Sequence, residues 1–128
     1  MQTENIRKQF NKEEFKRRLY SFILRLIEFI DQLSKDRVSY VIGDQLLRSG
    51  TSILGNYIEG QSASSKKEFL VFIQYCLKSS NESKVWIALL RDSKRTSKEK
   101  ADPFLKELGE FSNIFASSIL TIKGKRSI

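Results

Sequence analysis

The 128-residue chain contains no histidine, which removes the side chain that most often serves as a general base or a metal ligand. Its single cysteine, Cys76, permits no internal disulfide and no cysteine-based metal cluster within one chain. The sequence also lacks a phosphate-cradling glycine loop and a Gly-x-Ser-x-Gly nucleophile motif. We therefore expect a protein that is not an enzyme and that holds no metal or cofactor.

Proline and glycine are scarce, at one and six residues, so the sequence encodes few turns. This favours long helices with short connections over many short strands. Hydrophobic residues make up 40% of the chain and include nine phenylalanines, which indicates a folded protein rather than a disordered one. At this length we expect one domain.

Long apolar runs are absent as well. Arg25 and Glu28 interrupt the best candidate, the run from Phe22 to Ile30, so no segment is suited to crossing a membrane. No secretory leader is recognisable at the start of the sequence. These features predict a cytoplasmic protein without a membrane partner.

Four segments carry apolar residues at helical spacing. The first begins near Lys12, and Tyr20, Ile23, Ile27 and Ile30 are expected to widen its buried face. Its main apolar stripe is Phe15, Leu19, Phe22, Leu26, Phe29 and Leu33. The second segment follows a turn at 34–39 and ends at Glu59, and the third runs over 65–95.

The fourth helix is predicted to start at Asp102 and Pro103, an N-cap residue followed by proline at the first helical position, and to end at Gly124. We thus predict an all-α protein, an antiparallel up-down-up-down four-helix bundle over residues 12–123. Residues 1–11 are interpreted as a flexible N-terminal arm and residues 124–128 as a basic tail.

The formal net charge of +8 favours a polyanionic partner such as RNA or DNA, although a merely soluble basic surface is the alternative. Basic residues gather on the first helix, in the connection before the fourth helix and in the tail. For the first helix a solvated face, and for the tail a solubilising role, explain the charge about equally well. The candidate contacts are Lys12, Lys16, Arg17, Arg18, Arg25, Lys94, Arg95, Lys123, Lys125 and Arg126.

The stretch from Gln45 to Phe69 combines helical spacing with small residues. Glycines at 43, 50 and 55 each cost about 1 kcal/mol against alanine in a helix interior, so we expect another backbone to approach closely there. Gly60 is predicted to end the helix. A polar stripe lies beside the apolar one and consists of Arg48, Ser52, Asn56 and Glu59.

Arg48 of this stripe and Glu82 of the third helix both lie in regions of small side chains. If the two helices are antiparallel neighbours, the two groups can pair as a buried ion pair. Such a pair fixes packing register more than it adds net stability, because desolvation offsets its attraction. A ligand-contacting role for these residues is the alternative.

The same stretch resembles a family of small bacterial four-helix-bundle proteins first noticed in intervening sequences of 23S ribosomal RNA genes. The matching positions are Gln45, Leu46, Arg48, Ser49, Gly50, Ser52, Ile53, Asn56, Glu59, Gly60, Ser65, Lys66, Glu68 and Phe69. A looser second match comprises Leu77, Lys78, Glu82 and Trp86. As a pattern, the resemblance extends over residues 15–122.

The resemblance implies closed homo-oligomeric rings, typically pentamers. Tyr20, Tyr40, Tyr75 and Trp86 support this expectation, because they exceed what one narrow core requires. A related branch of the family is similar to the accessory variability determinant of diversity-generating retroelements, which assists a reverse transcriptase and binds nucleic acid.

Three hypotheses follow. The first is a non-catalytic, RNA-associated, oligomeric nucleic-acid-binding module, and the second is an accessory protein that binds a reverse transcriptase and its RNA or DNA. The third is a protein-interaction scaffold without a nucleic-acid role. Location inside a ribosomal RNA gene favours the first, a neighbouring reverse-transcriptase gene the second, and salt-insensitive partner binding the third.

Overall fold

The computed structural model describes residues 11–124, and within them it confirms the four predicted helices. They are α1 (Lys12–Asp31), α2 (Arg37–Gln61), α3 (Lys66–Asp92) and α4 (Lys98–Ile122). The predicted arm and tail lie outside this range except for Asn11 and Gly124, so both remain predictions.

Each helix begins at a residue whose side chain accepts a hydrogen bond from the first turn. Asn11 accepts from the backbone N–H groups of Glu13 and Glu14, at 2.9 and 3.1 Å. Asp36, Ser65 and Ser97 cap the other three helices in the same way. These caps satisfy N–H groups that have no partner inside the helix, so they fix where each helix starts.

The helices run antiparallel, which brings the α1–α2 and α3–α4 connections together at one end, called here the upper end. There the backbone N–H of Ser34 donates to the carbonyl of Arg95 at 3.3 Å. At the lower end the Tyr57 hydroxyl donates to the carbonyl of Lys12, at 3.5 Å. The two ends are thus each tied by contacts between elements that are distant in sequence.

The core between α1 and α4 is built from phenylalanine rings in edge-to-face contact. Phe22 meets Phe111 with ring centroids 5.1 Å apart, and Phe15 meets both Phe111 and Phe115 at 5.8 Å. Such pairs contribute about 0.5–1.5 kcal/mol each beyond the apolar area they bury. Bulky rings therefore separate these two helices.

Small side chains line the seam between α2 and α3 instead. The hydroxyl oxygens of Ser49 and Ser83 lie 2.7 Å apart in the interior, and each hydroxyl is also within hydrogen-bond reach of a carbonyl one turn earlier in its own helix. Since buried polar groups are costly unless hydrogen-bonded, these pairings make buried serines tolerable. The small serines allow α2 and α3 to pack closely enough for their hydroxyl groups to meet.

The glycine predictions were partly wrong. A Cβ on Gly50 would overlap a methyl group of Leu26 in α1, so a side chain rather than a backbone fills the space. A Cβ on Gly55 would have no atom within 4 Å, because this position faces open space. Gly60 does not end α2, which continues to Gln61; a Cβ there would lie 3.2 Å from Phe72 Cβ.

The predicted start of α4 was also wrong. The helix begins at Lys98 because Ser97 caps it, accepting from the N–H of Lys100 at 3.2 Å. Asp102 is engaged by Arg91 of α3 at 2.9 Å and does not act as a cap. Pro103 then lies inside the helix, where it lacks the N–H that would bond the carbonyl of Glu99.

Candidate nucleic-acid interface

Two of the predicted phosphate contacts on α1 are held by carboxylates of α4. Arg18 pairs with Glu107 at 3.0 Å and with Glu110, and Arg25 pairs with Glu107 at 3.0 Å. Burial opposes the charge of Arg18, but the hydrogen bonds to Glu110 and Glu107 outweigh it and raise its pKa. A phosphate would have to compete with these carboxylates for both guanidinium groups.

The remaining α1 candidates lie at the lower end. Lys16 forms an exposed pair with Glu13 at 3.3 Å. Arg17 forms no ion pair within residues 11–124. Together with Tyr20 and two α2 residues, Leu54 and Ile58, these basic side chains border an apolar groove of about 420 Å³. This setting differs from the solvated basic face considered from the sequence.

The connection between α3 and α4 forms a basic corner at the upper end. Arg91, Asp92, Lys94, Thr96 and Lys98 line a polar depression of about 510 Å³, called here the α3–α4 corner. Arg91 is paired with Asp92 and Asp102, both at 2.9 Å, and these hydrogen bonds raise its pKa. Lys94 and Lys98 have no carboxylate within 4.0 Å in residues 11–124, so their charges are available.

The hydrogen bonds at the C-terminal end of α3 fix the backbone conformation of Lys94. The N–H of Lys94 donates to the carbonyl of Arg91 at 3.0 Å, and the N–H of Arg95 donates to that of Leu90 at 2.9 Å. This hydrogen-bond pattern, a Schellman motif, requires a left-handed residue that is usually glycine. Here Lys94 adopts it with φ 66°, and it is the only non-glycine residue with positive φ within residues 11–124.

Arg95 turns away from the corner. Its guanidinium donates to Asp36 at 3.3 Å, so this predicted contact serves to join the two upper connections. Lys123 caps the C-terminal end of α4, at the opposite end of the bundle from Lys94. Lys125 and Arg126 lie outside the described residues. The structure therefore divides the candidate residues between two ends and brings only Lys94, with the unpredicted Lys98, into one basic depression.

The polar stripe of α2 forms a hydrogen-bonded seam with α3. Arg48 donates twice to Gln45, at 3.2 and 3.0 Å, and pairs with Glu82, which also accepts from Trp86 at 3.2 Å. The predicted pairing is present, but the prediction that it is buried was wrong: the Arg48 side chain is 57% exposed and that of Glu82 31%. The pair lies on the outer surface of the seam.

The seam continues toward the lower end. Ser79 donates to Ser52 at 3.0 Å, and Asn56 donates to both the hydroxyl and the carbonyl of Ser52 at 2.9 Å. At the turn itself, Glu68 accepts from the N–H of Ser64 at 2.8 Å. The other motif positions have a packing role or face solvent: Phe69 lies against Gly60, whereas Glu59 and Lys66 are exposed.

Sequence reasoning misplaced part of the apolar surface. Tyr20 and Ile27, expected to widen the buried face of α1, are 59% and 39% exposed. Together with neighbouring α2 side chains they form an unpartnered surface, called here the α1–α2 apolar face: Tyr20, Leu24, Ile27, Leu47 and Ile58. A second set on the outside of α3, the α3 apolar stripe, consists of Val71, Tyr75, Val85 and Leu89.

Comparison with known proteins agrees with this architecture. A family model described as 23S rRNA-intervening sequence protein matches residues 6–117. The chain belongs to that family. No curated protein matches it. A crystal structure of a protein of unknown function from the S23 ribosomal protein family of Bacteroides thetaiotaomicron is similar, with 28% sequence identity and a TM-score of 0.76. The match covers 81% of this chain and 96% of the other.

In this member of the 23S rRNA-intervening sequence protein family, the motif residues lie on α2, on α3 and in the turn between them. The polar members of the motif build the α2–α3 seam and its turn, whereas the basic α3–α4 corner lies apart from them at the upper end. No helix within residues 11–124 is both long and apolar enough to cross a membrane.

Proposed function

We propose that this protein is a non-catalytic, oligomeric module of the cytoplasm that binds nucleic acid, in particular RNA, through the sugar-phosphate backbone. The observation that carries the proposal is the α3–α4 corner, where Lys94 and Lys98, which form no ion pair within residues 11–124, border a polar depression. Ammonium groups of this kind bind phosphates as point charges and read no sequence.

The backbone at Lys94 supports the proposal. A lysine in the left-handed region costs about 1 kcal/mol relative to glycine, because its Cβ approaches the backbone. Such costs are typical of residues retained for a functional reason. Lys94 is exposed at this position, so its charge is open to solvent at the corner.

We propose further that the protein assembles as a closed homo-oligomeric ring, with five copies as the resemblance implies. A ring requires two different faces on each copy, one docking against the other on the next copy. The α1–α2 apolar face and the α3 apolar stripe are two such faces, on different sides of the bundle. A ring repeats the corner around one axis, so a long polyanion meets several copies at once.

The experiment measures the affinity for a structured RNA by fluorescence anisotropy over a range of salt concentrations. The variant carries Lys94→Gln and Lys98→Gln, and the control carries Lys66→Gln and Lys67→Gln, which remove the same charge at the lower end. The corner variant should lower the slope of log affinity against log salt by about 1.4–1.8, the value for two lost phosphate contacts. Equal effects of both variants would show that net charge rather than the corner controls binding.

The second candidate is a protein-interaction scaffold, and the extent of exposed apolar surface favours it. In this case the two apolar faces bind another protein, such as the reverse transcriptase of the retroelement alternative. Partner binding that persists at high salt, combined with no RNA binding at low salt, would support this candidate over the first.

A further inference from the structure

A second concave site lies toward the upper end of the bundle. It is a cleft of about 330 Å³ between the C-terminal half of α1 and the N-terminal half of α4, called here the α1–α4 cleft. This volume is near the lower limit for small-molecule sites, so the cleft accommodates one planar ring system and not a helix.

The base of the cleft is apolar and partly aromatic. Phe29 of α1 and Phe104 of α4 lie with their ring centroids 5.0 Å apart and tilted by 49°. Pro103 adds the flat face of its ring and is exposed. Phe29 is only 4% exposed, so the surface on which a planar heterocycle stacks consists of the partly exposed ring of Phe104 and the ring of Pro103. Stacking of this kind tolerates any base.

The rim of the cleft carries groups that hydrogen-bond to a heterocycle edge. Glu28 and Gln32 lie one turn apart on α1, and both are exposed. Neither forms a side-chain hydrogen bond within the described part of the chain. A carboxylate accepts and an amide both donates and accepts, so the pair is complementary to the donor and acceptor groups on a nucleobase edge.

One cation without an ion-pair partner in residues 11–124 lies on the rim of the cleft. Lys100 lies on the rim of the cleft and forms no ion pair within residues 11–124, while Lys98, two positions earlier in α4, lines the corner. Successive residues of a helix turn by about 100° around its axis, so Lys98 and Lys100 project from nearly opposite sides of α4. A single nucleic-acid strand reaches both sites by passing around the N-terminal end of α4, with phosphates at the corner and one base in the cleft.

We propose that the α1–α4 cleft receives an unpaired nucleobase of a strand whose phosphates lie at the α3–α4 corner. The inference rests on the proposed function and specifies its substrate as single-stranded or looped nucleic acid. A paired base is stacked inside its duplex and does not present its faces or its Watson–Crick edge to the cleft. Duplexes then bind through the corner alone.

The test compares a fluorescently labelled single-stranded RNA with the duplex of the same sequence, at the same salt concentration. Phe104→Leu keeps an apolar side chain but removes the ring, and should weaken single-strand binding by about tenfold while leaving duplex binding unchanged. Because Phe104 also packs against Phe22, Gln32→Ala and Pro103→Ala serve as further variants outside the core. Gln74→Ala, an exposed glutamine of α3, is the matched control.

The outcomes separate the two proposals. Loss of single-strand binding alone in the cleft variants supports the cleft, whereas equal binding of both ligands, unchanged by the cleft variants, overturns it and leaves the corner intact. Failure of the unaltered protein to bind either ligand overturns the proposed function and the cleft with it. A change of oligomeric state in Gln32→Ala, measured by light scattering, would show that the cleft instead receives a side chain of a second copy.

Discussion

The side chain of Arg95 reaches Asp36 across the upper end of the bundle, with Nε and Oδ1 3.3 Å apart. Asp36 caps α2 through the N–H of Ser39 at 2.9 Å and also accepts from the hydroxyl of Ser34 at 2.9 Å. One carboxylate therefore connects the start of α2 to both upper connections, even though it is only half-buried.

These contacts predict a pH dependence of stability. The hydrogen bond from the N–H of Ser39, followed by those from Ser34 and Arg95, lowers the pKa of Asp36 from 3.8 to about 2. Because the pKa is lowered in the folded protein, the ionised Asp36 carboxylate contributes fully to the free energy of unfolding above pH 3.8. This contribution is lost as the pH falls toward 2. Urea denaturation at several pH values should show this loss in the unaltered protein.

The Asp36→Asn variant isolates the charge, because asparagine caps a helix about as well as aspartate. Its denaturation midpoint should be lower than that of the unaltered protein at about pH 6, and the difference should vanish near pH 2. A constant difference across this range would contradict the assignment to Asp36.

Two glycines of α2 should respond oppositely to alanine. Gly50→Ala gains about 1 kcal/mol of helix propensity, but its Cβ overlaps the fully buried Leu26, and such overpacking costs about 1–3 kcal/mol. We expect a net loss of about 1 kcal/mol. Gly55→Ala meets no atom within 4 Å and should gain about 1 kcal/mol.

Thermal denaturation of the two variants checks this prediction, and each serves as the control for the other, since both lie inside the same helix. Stabilisation by both substitutions would mean that Leu26 moves aside at little cost.

Helical spacing correctly predicts which residues are buried along the centre of an apolar helix face. Phe15, Phe22, Leu26 and Phe29 are buried as expected, because residues at these spacings share one side of a helix. Spacing does not fix how wide the buried stripe is, and for that reason it wrongly predicts Tyr20 in the interior. The width depends on how far the neighbouring helix extends, which is a tertiary property.

Competing local signals and helix register account for the other errors. Both Ser97 and Asp102 are suitable N-cap residues, and only the contact between Asp102 and Arg91 shows which one begins α4. Whether a basic residue can bind a phosphate without competition from a carboxylate likewise depends on side chains that are distant in sequence. Arg18 and Lys94 look equivalent in the sequence, yet Arg18 faces two carboxylates of α4 and Lys94 faces none within residues 11–124.

The proposed ring predicts a complementation between two variants. Leu24→Lys places a charge on the α1–α2 apolar face, and Tyr75→Lys places one on the α3 apolar stripe. Burying an unpaired charge is costly, so each variant alone should be monomeric. When the two are mixed, each supplies the face that the other lacks, and one dimer should form per pair of chains.

Light scattering after size-exclusion chromatography measures the masses. Leu120→Lys, on α4 and also partly exposed, is the control and should leave the assembly of the unaltered protein unchanged. If the Tyr75→Lys variant alone forms dimers, the α1–α2 apolar face pairs with itself and the ring model is wrong.

Replacing Lys94 by glycine should raise the stability of the protein and lower its affinity for RNA. Lys94→Gly removes the cost of the left-handed conformation and should raise the free energy of unfolding by about 1 kcal/mol. It also removes one of the two lysine charges of the α3–α4 corner, so RNA affinity should fall and its salt slope should decrease by about 0.7–0.9. Lys94→Arg keeps both the charge and the backbone conformation and should change neither quantity. A stability gain in Lys94→Gly without any loss of affinity would place the phosphate contacts away from the corner, since the glycine keeps the Schellman motif of α3 and alters only the side chain.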